Sequence, residues 1–389
     1  MSVTTAQGFR AAGVTAGLKK SGNPDLALVV NDGPQRSAAA VFTSNRVAAA
    51  PVHWSRTVLG DGRVDAVVLN SGGANACTGP EGFQNTHTTA EKVADVLGIS
   101  ATDVAVCSTG LIGEQLPMDK ILPGVEAAAA ALAADGGAGA AAAIMTTDTV
   151  PKETAWTSAP DANGNSYTIG GMAKGAGMLA PGLATMLVVI TTDAEVAPEG
   201  LDAALRDAVR PTFNRADSDG CMSTNDTVLL LGSGASTVIP DMDEFTAGLT
   251  TVCATLARAL IADAEGAKHD IAITTVNADS ERDAEIASRA VARSNLFKCA
   301  IFGNDPNWGR VLSAVGTTDA VFDPNEINVS INGVQICRKG AIGDSRDLVD
   351  LAGREVTVEI DLRAGAASAT IWTNDLTHDY VEENSAYSS

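Results

Sequence analysis

The sequence predicts an α+β fold, a layered sandwich of the α/β/β/α type, from two observations. Strand-like and helix-like stretches alternate on both sides of residue 185, with no linker or low-complexity segment there. Several strands are continuous apolar runs, as in Leu26-Ala27-Leu28-Val29-Val30 and Ala66-Val67-Val68-Leu69, the mark of strands covered on both faces. A chain of 389 residues is long enough to bury a large core, here one shared by two halves.

In order, residues 1–75 read as short strands and turns. The second apolar run empties into Asn70-Ser71-Gly72-Gly73-Ala74-Asn75-Ala76-Cys77-Thr78-Gly79, a loop of small polar residues suited to a tight turn or a pocket wall. Gln84 to Leu97 has helical spacing and stops at Gly98. Val104-Ala105-Val106-Cys107 is a strand that feeds Ser108-Thr109-Gly110. Met118 to Ile144 is alanine-rich and broken by glycines, which suggests two helices packed closely on a sheet. Met145-Thr146-Thr147-Asp148-Thr149-Val150-Pro151-Lys152 sets hydroxyls beside one carboxylate and leads into a hairpin that turns at Asn163-Gly164.

Downstream, a strand from Met186 is followed by a helix from Pro198 to about Arg210, with proline in its first turn. Ser223-Thr224-Asn225-Asp226-Thr227 precedes the strand Val228-Leu229-Leu230-Leu231. Asp243 to Asp263 reads as a long helix, which puts Glu265 at its C-terminus, where it is either solvated or matched to a cation. A strand over His269 to Val276 and a helix over Ser280 to Ser294 come next, then a loop at 303–310 before another helix. The last part, with Asn332-Gly333 as a turn and Val356 to Ile360 as a strand, looks antiparallel, and the polar tail from His378 reads as a frayed end.

The formal net charge of −21 argues against nucleic acid or an anionic membrane as partner. No basic leader with an apolar core opens the chain, and no uninterrupted apolar run is long enough to span a bilayer, so a cytoplasmic location is expected. Six scattered cysteines lack any C-x-x-C spacing and read as mostly buried free thiols.

The chemistry centres on residues 174–193. A glycine-loosened loop, Lys174-Gly175-Ala176-Gly177, gives way to an apolar run after Met186, so the hydroxyl of Thr185 stands where loop meets strand. A threonine hydroxyl needs a base, and an N-terminal threonine carries one in its own α-amine. Attack of that hydroxyl on the carbonyl of Ala184, followed by hydrolysis of the ester, would expose the amine. From the residues alone, Thr185 is either an ordinary threonine heading a core strand or the nucleophile of a self-cleaving N-terminal-nucleophile enzyme, cut between Ala184 and Thr185. Thr109 and Gly110, at the other strand-to-loop junction, read either as a plain turn or as an oxyanion site. Gly175-x-Gly177-x-x-Ala180 matches the dinucleotide fingerprint in letters only, because Pro181-Gly182 follow instead of a helix.

Longer motifs carry a resemblance. Gly-Met-Ala-Lys-Gly-Ala-Gly-Met-Leu-Ala-Pro at 171–181, Ala-Thr-Met-Leu at 184–187, Cys-Ser-Thr-Gly-Leu-Ile-Gly at 107–113 and the ending Glu-Glu-Asn-Ser-Ala-Tyr-Ser-Ser resemble the ornithine acetyltransferase family. So do the 70–79 loop, Asn-Asp-Pro-Asn-Trp-Gly-Arg at 304–310 and His-Asp-Tyr-Val at 378–381. The resemblance implies self-cleavage into an alpha chain, 1–184, and a beta chain, 185–389, packed as one unit and assembled as a heterotetramer of two each. It implies acetyl transfer from N2-acetyl-L-ornithine to L-glutamate in the cyclic arginine pathway, without metal or organic cofactor.

Carried over by residue, Thr185 is the nucleophile, Thr109 and Gly110 form the oxyanion hole, and Thr146, Lys174, Thr185, Glu265, Asn384 and Ser389 contact substrate. The 125–165 segment aligns loosely, so Thr146 rests on the least sequence. Acetylornithine and glutamate share an α-carboxylate but differ in side-chain charge, and Lys174 with Glu265 would serve both. Alternatives are an enzyme that also accepts acetyl-CoA, a related N-terminal-nucleophile aminopeptidase with water as acceptor, and an uncut amino-acid-binding protein.

Overall fold

The structure is a computed structural model that describes residues 1–178 and 186–386. Ala184, Thr185 and Ser389 lie outside the described residues. The chain forms two compact units, Met1–Asn214 with Cys221–Leu260, and Arg215–Gly220 with Ile261–Ser389.

The first unit contains two sheets. One has the order β1 (Phe9–Val14), β2 (Leu26–Asn31), β4 (Ala66–Ser71), β5 (Val104–Thr109); the other runs β3 (Ser37–Phe42), β9 (Thr227–Gly232), β8 (Leu187–Thr192), β7 (Thr168–Lys174), β6 (Lys152–Thr157). The β4–β5 and β8–β9 pairs are parallel, and the other neighbours in both sheets are antiparallel.

Alternation along each strand explains the continuous apolar runs. Val29, Val67, Leu69, Ala105 and Cys107 of the first sheet share one core with Met172, Leu187, Val189, Leu229 and Leu231 of the second. The intervening Leu28, Ala66, Val68, Val104 and Val106 form another core with Ala90 and Val93 of α2 (Gly79–Leu97) and Ile121 and Val125 of α3 (Met118–Ala130). Each strand of the first sheet is thus apolar on both faces because a sheet covers one and helices the other. On the far side of the second sheet lie α5 (Pro198–Val209) and α6 (Met242–Ala262); a Cβ at Gly171 of β7 would meet Val252 and Leu256 of α6. The α/β/β/α layering expected from sequence is the architecture of this unit.

The alanine-rich segment forms two helices, as expected, α3 and α4 (Gly137–Ala143). Its small residues allow contact at backbone distance: a Cβ at Gly13 of β1 would fall 1.9 Å from the carbonyl oxygen of Gly139. Two readings need correction here. Residues 50–58, taken for strands and turns, form α1 (Ala50–Val58), which carries Pro51 in its first turn and buries Pro51, Val52, Ser55 and Val58. Helix α2 begins at Gly79, five residues before the expected Gln84. Helix α6 passes for a membrane span by length and composition, but Asp243, Glu244 and Arg258 interrupt it, so the absence of an uninterrupted apolar run stands. Its Phe245, Leu249, Val252, Cys253, Leu256 and Leu260 are buried in the protein.

The second unit has a six-stranded sheet with the order β13 (Ala341–Ile342), β12 (Val334–Arg338), β11 (Asn328–Ile331), β14 (Glu355–Asp361), β10 (Asp270–Ala278), β15 (Ala367–Asn374). Helices α7 (Glu281–Ala292), α8 (Asn295–Phe302) and α9 (Trp308–Val315) supply Ala284, Val291, Phe297, Ile301 and Val311 to the core on one face. The burial of β14 alternates strictly, leaving its other face to solvent. The strands after Ile327 are antiparallel as expected, β11 with β12 and β14 and β12 with β13, while β10, earlier in the chain, pairs with β14 in parallel. The tail does not read out as a frayed end: it forms α10 (His378–Ala386). Cysteines 77, 221 and 299 are exposed while 107, 253 and 337 are buried, so burial of most thiols does not hold.

Leu229 is fully buried between the two sheets, so Leu229→Ala is expected to destabilise the chain by about 2–5 kcal/mol. A fall in the denaturant midpoint measures it, and an unchanged midpoint would contradict the packing described.

Candidate active site

The parallel pair β4–β5 ends with Ser71 opposite Thr109, so two loops leave the sheet side by side. The carbonyl of Thr109 accepts from the N–H groups of Gly72 at 2.9 Å and Gly73 at 3.0 Å. Gly110 has φ +132, and a Cβ there would lie 2.5 Å from the nitrogen of Gly73. Only glycine meets both conditions. Side chains lock the arrangement: Ser108 Oγ donates to Asn70 Oδ1 (2.6 Å), and Asn70 Nδ2 donates to the carbonyl of Gly73 (3.0 Å). Asn225, from the turn before β9, donates to the carbonyls of Ala74 (2.6 Å) and Ser108 (2.8 Å).

Thr109 is 1% exposed, and Lys174, the last residue of β7, is 2% exposed. Lys174 Nζ lies 3.3 Å from Thr109 Oγ1. A protonated lysine has no acceptor, so the threonine oxygen accepts, and its own proton is directed elsewhere, available to another oxygen. Beside Lys174 sits Asp148, fully enclosed. Its Oδ1 accepts from Lys152 Nζ and from the N–H of Gly175, each at 2.6 Å, and its Oδ2 accepts from the N–H of Thr146 at 3.0 Å and lies 3.9 Å from Lys174 Nζ. Burial pushes this carboxyl up, but Lys174, Lys152 and the N–H of Thr146 outweigh it and hold the group down at about 2.

Asp226 follows Asn225 and is also enclosed. Its carboxylate accepts from the N–H of Met186 at 3.0 Å and of Ser223 at 3.1 Å. The carbonyl of Met186 in turn accepts from Thr227 N at 3.1 Å, so this residue, the next after Thr185 in sequence, is held on both sides. Burial drives the Asp226 carboxyl well above the usual range, against the opposing pull of these N–H groups, Thr43 and Lys174.

The structure therefore brings together Thr109, Gly110, Lys174 and Thr146, the last through its backbone. Glu265 and Asn384 belong to the second unit. Glu265 follows α6 in a turn and accepts from Asn384 Nδ2 at 2.8 Å, which answers whether it is solvated or matched to a cation: its partner is an amide. The turn and the tail helix are tied together, because Thr377 Oγ1 donates to the carbonyl of Gly266 (2.7 Å) and Lys268 pairs with Asp379 (2.5 Å). At its root, His269 Nδ1 meets Asp375 Oδ2 at 2.8 Å. These bonds order a tail whose polar composition suggested fraying. Thr185, Ala184 and Ser389 are outside the described residues. Asn225, Asp226, Asp148 and Lys152 had no assigned role; the signals were an Asn-Asp pair at the entrance to a wholly apolar strand and a single carboxylate among the hydroxyls of 145–152.

Buried hydroxyl and lysine donors, beside a glycine that lets backbone approach closely, suit stabilisation of a developing oxyanion. The model of the ArgJ family matches residues 10–389, nearly the whole chain. The chain belongs to the ArgJ family. It is 66% identical to the arginine biosynthesis bifunctional protein ArgJ of Streptomyces coelicolor and 64% identical to that of Streptomyces avermitilis, in each case over 389 residues and all of both chains. It is also similar to a crystal structure of an ornithine acetyltransferase complexed with ornithine from Mycobacterium tuberculosis, at 55% identity. That likeness covers 48% of this chain and 96% of the other, with a TM-score of 0.44. The family sequence motifs at 70–79 and 107–113 are thus the two loops joined at Gly72, Gly73 and Thr109.

Gly110→Ala places a Cβ against the Gly73 backbone at a φ disfavoured for alanine, with an expected cost of at least about 1–3 kcal/mol. Thermal unfolding measures this; a variant as stable as the parent would contradict the close approach.

Proposed function

We propose that this chain is an acetyltransferase of arginine biosynthesis that moves an acetyl group from N2-acetyl-L-ornithine to L-glutamate through an ester on Thr185. One observation carries the reading. Two consecutive residues support it: Asn225 bonds the carbonyl of Ser108, next to Thr109, and Asp226 bonds the N–H of Met186, the residue after Thr185 in sequence.

The precursor cleaves itself between Ala184 and Thr185, giving an alpha chain of 1–184 and a beta chain of 185–389. The freed amine of Thr185 takes the proton from its hydroxyl, which attacks the acetyl carbonyl. The Thr109 hydroxyl and the Gly110 N–H donate to the oxyanion of the tetrahedral intermediate, each worth roughly 3–4 kcal/mol in comparable sites. Collapse of the intermediate expels L-ornithine, whose α-nitrogen receives the proton. The amine of L-glutamate then attacks the ester, and N-acetyl-L-glutamate leaves with Thr185 restored. Lys174 faces the substrate carboxylate, and Thr146, Glu265, Asn384 and Ser389 are the remaining substrate contacts that the resemblance implies. The active assembly is a cytoplasmic heterotetramer of two alpha and two beta chains.

A second reading has a specific support: the relatives are named bifunctional. In that reading acetyl-CoA is an additional donor to the same threonine.

Thr185→Ala is expected to run as one uncut chain on a denaturing gel and to lose transfer by roughly 10³-fold or more, while the parent gives two bands. Transfer retained in an uncut chain would contradict the mechanism. In the parent, ornithine release that ignores glutamate would point to a hydrolase instead. Offering each donor alone separates the single-donor and two-donor readings, the second requiring N-acetylglutamate from acetyl-CoA and glutamate.

A further inference from the structure

We propose that Asp148 is a positioning residue for acyl transfer, keeping the Lys174–Thr109 hydrogen bond in one polarity without touching substrate. The proposal rests on the functional reading above.

Three facts carry it. Asp148 has a fully enclosed side chain between two lysines, each nearly as enclosed: Lys152 on β6 and Lys174 on β7, with 1% and 2% of their side chains exposed. Its two oxygens also accept the N–H groups of Gly175 and Thr146, so the carboxylate fixes the chain on either side of the lysines as well as the charges. Lys174 in turn donates to Thr109 Oγ1.

The polarity of that last bond matters because a threonine hydroxyl has a single proton. An ammonium at Lys174 forces the hydroxyl to accept and leaves its proton for the oxyanion; a neutral amine could accept that proton itself and turn the donor away. Two ammonium groups enclosed together repel strongly, and without a carboxylate between them one would give up its proton. Other charges bear on the same spot. Lys19, whose own ammonium is weakened first by burial and also by Lys174, adds to the positive side, with Asp25 opposing it. Asp226 is a further carboxyl that acts on Lys174, but burial favours its uncharged form. Among the described residues, Asp148 is thus the carboxylate placed to keep Lys174 charged.

The test uses the full-length protein and the first half-reaction, single-turnover release of ornithine from N2-acetylornithine across a pH series. Asp148→Asn keeps the shape and removes the charge. The rate at neutral pH is expected to fall about 100-fold, with the alkaline limb moved to lower pH by about one unit or more. Adding Lys152→Met to Asp148→Asn removes the competing ammonium and should move the limb back and recover at least about tenfold of the rate. A loss of fold alone would not shift the limb or be reversed by this second change. An Asp148→Asn profile superimposable on the parent's, or a double variant without recovery, overturns the proposal.

Should Asp148→Asn fail to fold, Lys152→Met by itself decides: the alkaline limb is expected to move to higher pH, because Lys174 no longer shares the carboxylate, and an unmoved limb overturns the proposal. If the parent releases no ornithine, the functional reading fails and this proposal with it. If the parent is active and only the variants behave like it, the proposal alone fails.

Discussion

The site depends on two polar side chains, adjacent in sequence, that satisfy backbone groups from two different strand ends inside an apolar core. Asn225 bonds the carbonyls of Ala74 and Ser108, and Asp226 bonds the N–H groups of Met186 and Ser223. Backbone polar groups cut off from water cost about as much as a lost hydrogen bond each, so these partners are structurally required. They sit where β9 enters the sheet, and β9 runs parallel to β8. The turn before β9 thereby reaches the residue just before β8, the loop that leaves β4 and the end of β5.

The two enclosed carboxyls at this place have opposite electrostatic balances. An enclosed ion pair recovers its desolvation only with good geometry and further hydrogen bonds. Asp148 has both, since it accepts four bonds or close charges, and its carboxyl is held at about 2. Asp226 has the opposite balance, with burial outweighing its N–H donors. An enclosed carboxyl displaced from its ordinary range, beside Thr109 and Lys174, is the arrangement that functional sites build.

Much of the fold was legible because strands buried on both faces print continuous apolar runs. Leu26 to Val30, Ala66 to Asn70 and Val228 to Leu231 all became strands, and Gly98 ended α2 in the left-handed conformation. The failures have local physical causes. Helix α1 is nine residues of mixed character whose helical face is short. The tail helix has no buried residue and is fixed instead by polar contacts such as Asn384 with Glu265 and Lys268 with Asp379, which leave no periodic trace. For the site, the pieces at 107–113 and 171–181 were recognisable as motifs. Their coupling through Asp148 and Asn225 was not, because these bonds span residues far apart in sequence and depend on sheet register.

The central claim is that an acetyl group rests on the hydroxyl of Thr185 between the two half-reactions. The most direct measurement is mass spectrometry of the protein quenched in acid after mixing with N2-acetylornithine and no glutamate. The account predicts a peptide that begins at Thr185 and carries one added acetyl group, which disappears when glutamate is supplied. An acetyl group on any other residue, or Thr185 found inside an unbroken chain that still turns over, would contradict it.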